Sequence, residues 1–153
     1  MSNNINGDRM ENVEILNYIY KNADMGYTST LNLLTTLKEK ENKIKYSLEL
    51  IKDEYKEFKE KSKLLMKKQK FIFKKSSFVS KFSSSIGIKS EVSKDNSDSA
   101  IAHLMIQGLT MGMVDIESKI KRFENVCDNK IISFAKDYLS FQNKSLEHLK
   151  NYL

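Results

Sequence analysis

The sequence predicts an all-α fold, an antiparallel up-down-up-down four-helix bundle. Apolar residues recur every three or four positions in four separate segments, which is the spacing of one face of an α-helix. The 153 residues include no proline and five glycines, and such a composition favours long helices over a β-rich fold with many turns. Two short turns and one longer middle connection between helices of similar length are typical of a four-helix bundle.

The first two helices are predicted from uninterrupted apolar stripes. One stripe runs from Val13 to Leu37 and the next from Ile44 to Leu65, with a short turn near Asn42 between them. Glutamates and lysines fill the other face of the second helix, as on a solvated surface. The residues before them, 1–10, are polar and are predicted to be disordered, so that residues 11–153 form a single four-helix-bundle domain.

A basic and then serine-rich segment separates the second helix from the third. Residues 61–75 hold seven lysines and no acidic residue, which suits the negative C-terminal end of a helix dipole. Residues 76–99 hold ten serines, and a crossover loop is predicted over 76–98. Clustered exposed aromatic side chains usually mark partner sites, so a possible interaction surface comprises Phe71, Phe73, Phe78 and Phe82.

The third helix is predicted over Ala100–Phe123 and the fourth over the apolar pattern that begins at Ile131. The first half of the third helix is apolar almost all round, which predicts that other helices surround it. Glycine inside a helix costs about 0.5–1 kcal/mol relative to alanine. Close helix packing is therefore predicted at Gly26, Gly108 and Gly112; the alternative is a small-molecule slot at mid-bundle, where small residues leave room.

Charge and cysteine content narrow the classes of partner and the location. The net charge of +6 comes almost entirely from lysine, since Arg9 and Arg122 are the only arginines. Nucleic-acid sites rely on arginine, so nucleic acid is not the expected partner. The single cysteine, Cys127, fits a reducing cytoplasm. The apolar stretch Ala100–Val114 is too short to span a bilayer of about 30 Å, so an integral membrane protein is not expected.

Three segments of the chain carry a resemblance to known proteins. Ile19–Gly26, Ser97–Met113 and Phe141–Leu153 resemble a group of small uncharacterised proteins from clostridia. The bundle with its longer middle connection resembles the ferritin-like superfamily. The resemblance implies a bacterial four-helix bundle and brings no known biochemical activity with it.

Di-iron ferritin-like proteins bind their metal through a Glu on each of two helices and a Glu-x-x-His motif on each of the other two. This sequence contains no Glu-x-x-His motif, and Glu147 and His148 are adjacent, so that they point about 100° apart on a helix. The main interpretation therefore has no metal site, no cofactor and no catalytic residue. An alternative is a metal-binding protein for iron or manganese, with the ligands Asp24, Glu54, His103 and Glu117.

Asp24 allows two further interpretations, since it lies beside the apolar stripe of the first helix. It is either a boundary residue that reaches solvent or a buried carboxylate paired with His103 or a lysine, because buried charges are retained only when paired.

The sequence as a whole predicts a non-enzymatic, cytoplasmic bundle that acts through protein–protein interaction or self-association, as a dimer. A second alternative is peripheral binding to an anionic membrane through the basic aromatic segment 61–82.

Overall fold

The computed structural model describes residues 5–69 and 95–153, with side chains from residue 10 onward. The described ranges contain four α-helices and a short 3-10 turn, with no strand, so the predicted all-α four-helix architecture is confirmed. Helix α1 begins inside the segment 1–10 that was expected to be disordered. The elements are α1 (Ile5–Thr36), α2 (Lys45–Lys68), α3 (Asp98–Phe123), α4 (Asn129–Leu149) and the turn Lys150–Tyr152.

The start of α3 has a clear chemical cause. The hydroxyl oxygen of Ser97 accepts a hydrogen bond from the backbone N–H of Ala100 at 3.2 Å, which satisfies one of the unpaired donors of the first turn. Asp98 lies in the first turn, and Lys121 and Arg122 lie in the last. These charges complement the positive N-terminal and negative C-terminal ends of the helix dipole.

Hydrogen bonds between helix ends fix the direction of each helix. The Asn42 amide, in the α1–α2 turn, donates to the Asn96 carbonyl at 2.8 Å and to Asp98 at 2.9 Å, at the start of α3. At the other end of the bundle, Asn12 of α1 accepts from the backbone N–H of Asp128 at 2.9 Å, in the α3–α4 turn. Helices α1 and α4 therefore run in one direction and α2 and α3 in the other. The predicted up-down-up-down order is wrong, and the order is up-down-down-up.

Antiparallel pairs nevertheless provide most of the packing, because α1 lies beside α2 and α3, and α4 lies beside α3 and α2. The parallel helices α1 and α4 also contact each other, whereas the described backbones of α2 and α3 do not approach each other. The parallel helices α2 and α3 therefore lie on a diagonal. A short turn forces the next helix to run back beside the last one, but a long connection leaves the direction of the following helix free. The apolar spacing of the sequence carries no information on that choice.

Helix α3 is not the enclosed central helix that its composition predicted. Met111 is 71 % exposed and Val114 is 61 % exposed, so one apolar face of α3 lies on the surface. Helices α1 and α4, in contrast, each touch the three other helices. Among the described helices, α3 alone is long and apolar enough to cross a membrane by length and composition, and 33 % of its most apolar window is buried inside the bundle.

The core has one continuous cluster of buried side chains from all four helices. Its fully buried large side chains are Ile15, Leu16, Ile19, Leu33, Leu37, Ile44, Leu48, Met66, Ile101, Leu109, Ile116 and Tyr138. The predicted surface of Phe71, Phe73, Phe78 and Phe82, together with most of the crossover loop 76–98, lies outside the described residues.

Candidate functional site

A cleft of about 260 Å³ opens between α1 and α3 at the middle of the bundle. We call it the α1–α3 cleft. Its walls are mainly apolar, and none of the residues that line it is charged. The lining residues are Asn22, Met25, Gly26, Ser29, Thr30, Leu33, Tyr55, Leu104, Met105, Gln107, Gly108, Leu109 and Met111.

The inner wall of the cleft is the ring of Tyr55, which packs directly on Gly26. A Cβ atom added at Gly26 would lie 2.6 Å from Cε2 of Tyr55, which is closer than real Cβ contacts. The ring is fixed from behind by Phe141, with 4.9 Å between the ring centroids in an edge-to-face arrangement. Aromatic pairs in this geometry are stabilising. Gly26 is therefore required so that α2 can place Tyr55 against α1.

The two glycines of α3 have different surroundings. A Cβ at Gly112 would lie 3.2 Å from Oδ1 of Asn22 and closer still to the Gln142 amide. Gly108 instead is exposed, and a Cβ there would have no heavy atom of the described residues within 4 Å outside its own stretch of helix. The close packing predicted for Gly108 is thus not found in the described part of the chain, where this residue lines the α1–α3 cleft.

A polar network lies beside the inner wall of the cleft. Oδ1 of Asn22 accepts hydrogen bonds from the Tyr138 hydroxyl and, at 3.2 Å, from Nε2 of Gln142. The Gln142 amide also hydrogen-bonds the Tyr55 hydroxyl. Gln142 is fully buried, and its Oε1 has no hydrogen-bond partner among the described residues. Buried polar atoms are nearly always paired, so this oxygen marks a place where a donor would be stabilised.

The tyrosines of this network remain neutral at physiological pH. Burial raises the pKa of the Tyr55 hydroxyl, while its hydrogen bond to Gln142 acts in the opposite direction with a smaller effect. Burial also raises the pKa of Tyr138 well above its ordinary value. Since a buried phenolate would lose its hydration, the inner end of the cleft offers hydrogen-bonding groups without charge.

The carboxylate of Asp24 is buried, at 2 % exposure, and pairs with a lysine. Its Oδ1 lies 3.1 Å from Nζ of Lys59, whose side chain is 28 % exposed. The same ammonium group lies 5.3 Å from the centre of the Tyr27 ring. Of the interpretations that the sequence left open for Asp24, the structure shows the buried carboxylate paired with a lysine.

The four residues of the metal-binding alternative lie in different surroundings. Asp24 pairs with Lys59, Glu54 borders a separate cleft beside Ser47, and His103 and Glu117 are exposed on α3. Within residues 5–69 and 95–153, no three His, Cys, Asp or Glu side chains lie close enough together to hold a metal ion.

A second cleft, of about 240 Å³, lies between the start of α2 and the end of α4. The buried hydroxyl of Ser47 lies 2.8 Å from Nε2 of His148 and 2.8 Å from the Tyr152 hydroxyl. These contacts fasten the C-terminal turn to α2. These contacts are not predictable from sequence spacing, because Ser47 lies about a hundred positions before His148 and Tyr152 along the chain.

No protein-family model matches this chain, and neither a curated protein nor a solved structure matches it. The geometry of the described residues is therefore the basis for a proposed function.

The polar network of Asn22, Tyr55 and Gln142 is not predicted from the sequence, because each residue lies on or beside an apolar stripe. One feature of the sequence does indicate this network. Tyr138 and Gln142 are four positions apart, so they share a helix face.

Proposed function

We propose that the protein is a non-enzymatic helical-bundle module that self-associates, a second copy of the chain packing on the exposed apolar face of α3. That face comprises Gly108, Met111 and Val114. The observation that carries the proposal is the combination of two exposed apolar side chains with a neighbouring glycine that has no packing partner among the described residues. An exposed glycine of this kind lets another backbone approach closely.

The chemistry of the face favours a second copy as the partner. Residues 104–114 contain no charged side chain, and depletion of charge is characteristic of the centre of an interface. In a twofold antiparallel pair of α3 helices, Met111 and Val114 of one copy lie against Val114 and Met111 of the other. The face is therefore complementary to itself, as a twofold interface requires.

The proposal includes a ferritin-like type of connectivity and a cytoplasmic location. The up-down-down-up order supports the first, because ferritin-like bundles have one long crossover connection. The second is supported by the cysteine content, since the sequence has Cys127 as its single cysteine and so holds no disulfide framework of its own, which fits a reducing compartment.

The test is the mass of the protein in solution after Val114→Lys. We expect the wild type to be a dimer and the variant to be a monomer, because twofold symmetry places two lysines in an apolar contact. The dimer Kd should rise by at least about 100-fold, as for a residue at the centre of an interface. Analytical ultracentrifugation over a range of concentrations measures this change.

The matched control is Leu64→Lys on α2, because Leu64 is 58 % exposed and Val114 is 61 % exposed. This control should leave the dimer Kd unchanged. A wild-type protein that remains monomeric at high concentration contradicts the proposal, as does an equal mass for Val114→Lys and the wild type.

A further inference from the structure

The α1–α3 cleft has the size of a small-molecule site. Its volume of about 260 Å³ exceeds the roughly 150 Å³ of an engineered apolar cavity that binds benzene. The apolar walls are formed by Leu33, Leu104, Met105 and Leu109. The space therefore suits a single substituted ring.

The opening of the cleft depends on Gly108. This residue lines the cleft, and nothing lies within 4 Å of the position of its missing Cβ. An alanine there would stabilise the helix by about 0.5–1 kcal/mol, and no packing contact within the described residues demands the glycine. A larger side chain at position 108 would instead occupy the mouth of the cleft.

The lining determines the charge of a suitable ligand. No charged residue lines the cleft, and Asp24 and Lys59 neutralise each other elsewhere in the bundle. A charged ligand would lose its hydration without gaining a counter-ion, which is strongly unfavourable. The cleft therefore selects an uncharged molecule.

The inner end of the cleft selects for a hydrogen-bonding group. Asn22 and Tyr55 line the cleft, and the amide of Gln142 contacts both of them. A ligand with a hydroxyl or amine group at this end can hydrogen-bond the side chains of Asn22 and Tyr55, which a plain hydrocarbon cannot do.

We infer that the α1–α3 cleft is a binding site for a small, uncharged ring compound that carries one hydroxyl or amine group. The ring lies between the leucines of α1 and α3, and the polar group faces Asn22 and Tyr55. Gly108 and Met111 line the cleft and also belong to the proposed dimer face. Val114 belongs to the dimer face alone, so a substitution there separates ligand binding from self-association.

The experiment measures binding of p-cresol, toluene and benzoate to the full-length protein by NMR titration. We expect p-cresol to bind about tenfold more tightly than toluene, since one buried hydrogen bond contributes up to that factor. Benzoate should not bind. The absence of p-cresol binding overturns the inference, and equal affinity for toluene and p-cresol overturns the hydrogen-bonding part of it.

Two leucine substitutions on α3 locate the site. At a low protein concentration, where the chain is monomeric, Gly108→Leu should abolish p-cresol binding without lowering the melting temperature, because the added side chain enters open space. Thr110→Leu is the matched control, since Thr110 is exposed on the same helix and does not line the cleft, and it should bind p-cresol like the wild type. Equal binding by the two variants overturns the assignment.

Two more variants test the role of the Tyr55 hydroxyl and the effect of self-association on binding. Tyr55→Phe retains the ring and should bring the affinity for p-cresol close to that for toluene, so retention of the full tenfold difference contradicts the role of the Tyr55 hydroxyl. Val114→Lys, a monomer whose cleft lining is unchanged, should bind p-cresol at least as tightly as the wild type. Loss of binding in Val114→Lys overturns the assignment of the site to a single copy of the chain.

Discussion

Replacement of Gly26 by alanine is expected to lower the free energy of unfolding by about 1–3 kcal/mol, the usual cost of overpacking a core. The added methyl would lie 2.6 Å from Cε2 of the Tyr55 ring and closer still to Cζ. That ring cannot move aside easily, since Phe141 packs against it with 4.9 Å between the centroids. The gain in helix propensity from alanine, about 0.5–1 kcal/mol, offsets only part of this cost. Urea denaturation measures the difference.

The matched control is the same substitution at Gly108, where the sign should reverse. Among the described residues, no atom outside the same stretch of helix lies within 4 Å of a Cβ at that position, so Gly108→Ala should raise the free energy of unfolding by about 0.5–1 kcal/mol. Both variants should be measured at low protein concentration, so that self-association does not contribute. A loss of stability in Gly108→Ala equal to that in Gly26→Ala would refute the difference between the two sites.

The contrast between these glycines shows where sequence reasoning stops. The apolar stripes predicted the four helices and much of the core, including Leu16, Leu48 and Ile51, because burial imposes a helical period on the sequence. Gly26, Gly108 and Gly112 looked equivalent in the sequence, since each interrupts a helix in the same way. The face on which each glycine lies depends on which helices are neighbours, and spacing within one helix does not encode this.

The composition of α3 predicts its burial incorrectly for a related reason. An all-round apolar composition is expected both for an enclosed helix and for a helix with an apolar binding face, and Met111 and Val114 belong to an exposed face. The apolar spacing also does not predict the direction of α3. Residue 69 lies at one end of the bundle and residue 96 at the other, so a long connection joins α2 to α3. Hydrogen bonds of Asn12 and Asn42 supply that information.

The buried pair of Asp24 and Lys59 gives the other large expected effect. Lys59→Met should lower the free energy of unfolding by about 2–4 kcal/mol, which is below the full cost of breaking a buried ion pair because Lys59 is partly exposed. The substitution removes the cation that lies 3.1 Å from a carboxylate with 2 % exposure. Methionine retains the apolar stem that packs near Tyr27. The loss therefore reports mainly on the buried charge and is measured by urea denaturation.

A double-mutant cycle separates this charge effect from packing. Asp24→Asn should cost only about 1 kcal/mol, because the Lys59 ammonium is 28 % exposed and can be hydrated. The double variant should be almost as stable as Asp24→Asn alone, since an amide no longer requires a cation. Lys56→Met is the control on the exposed face of α2 and should change stability by less than about 0.5 kcal/mol. If the losses from Lys59→Met and Asp24→Asn simply add, the two side chains are not coupled and the carboxylate is stabilised by other groups.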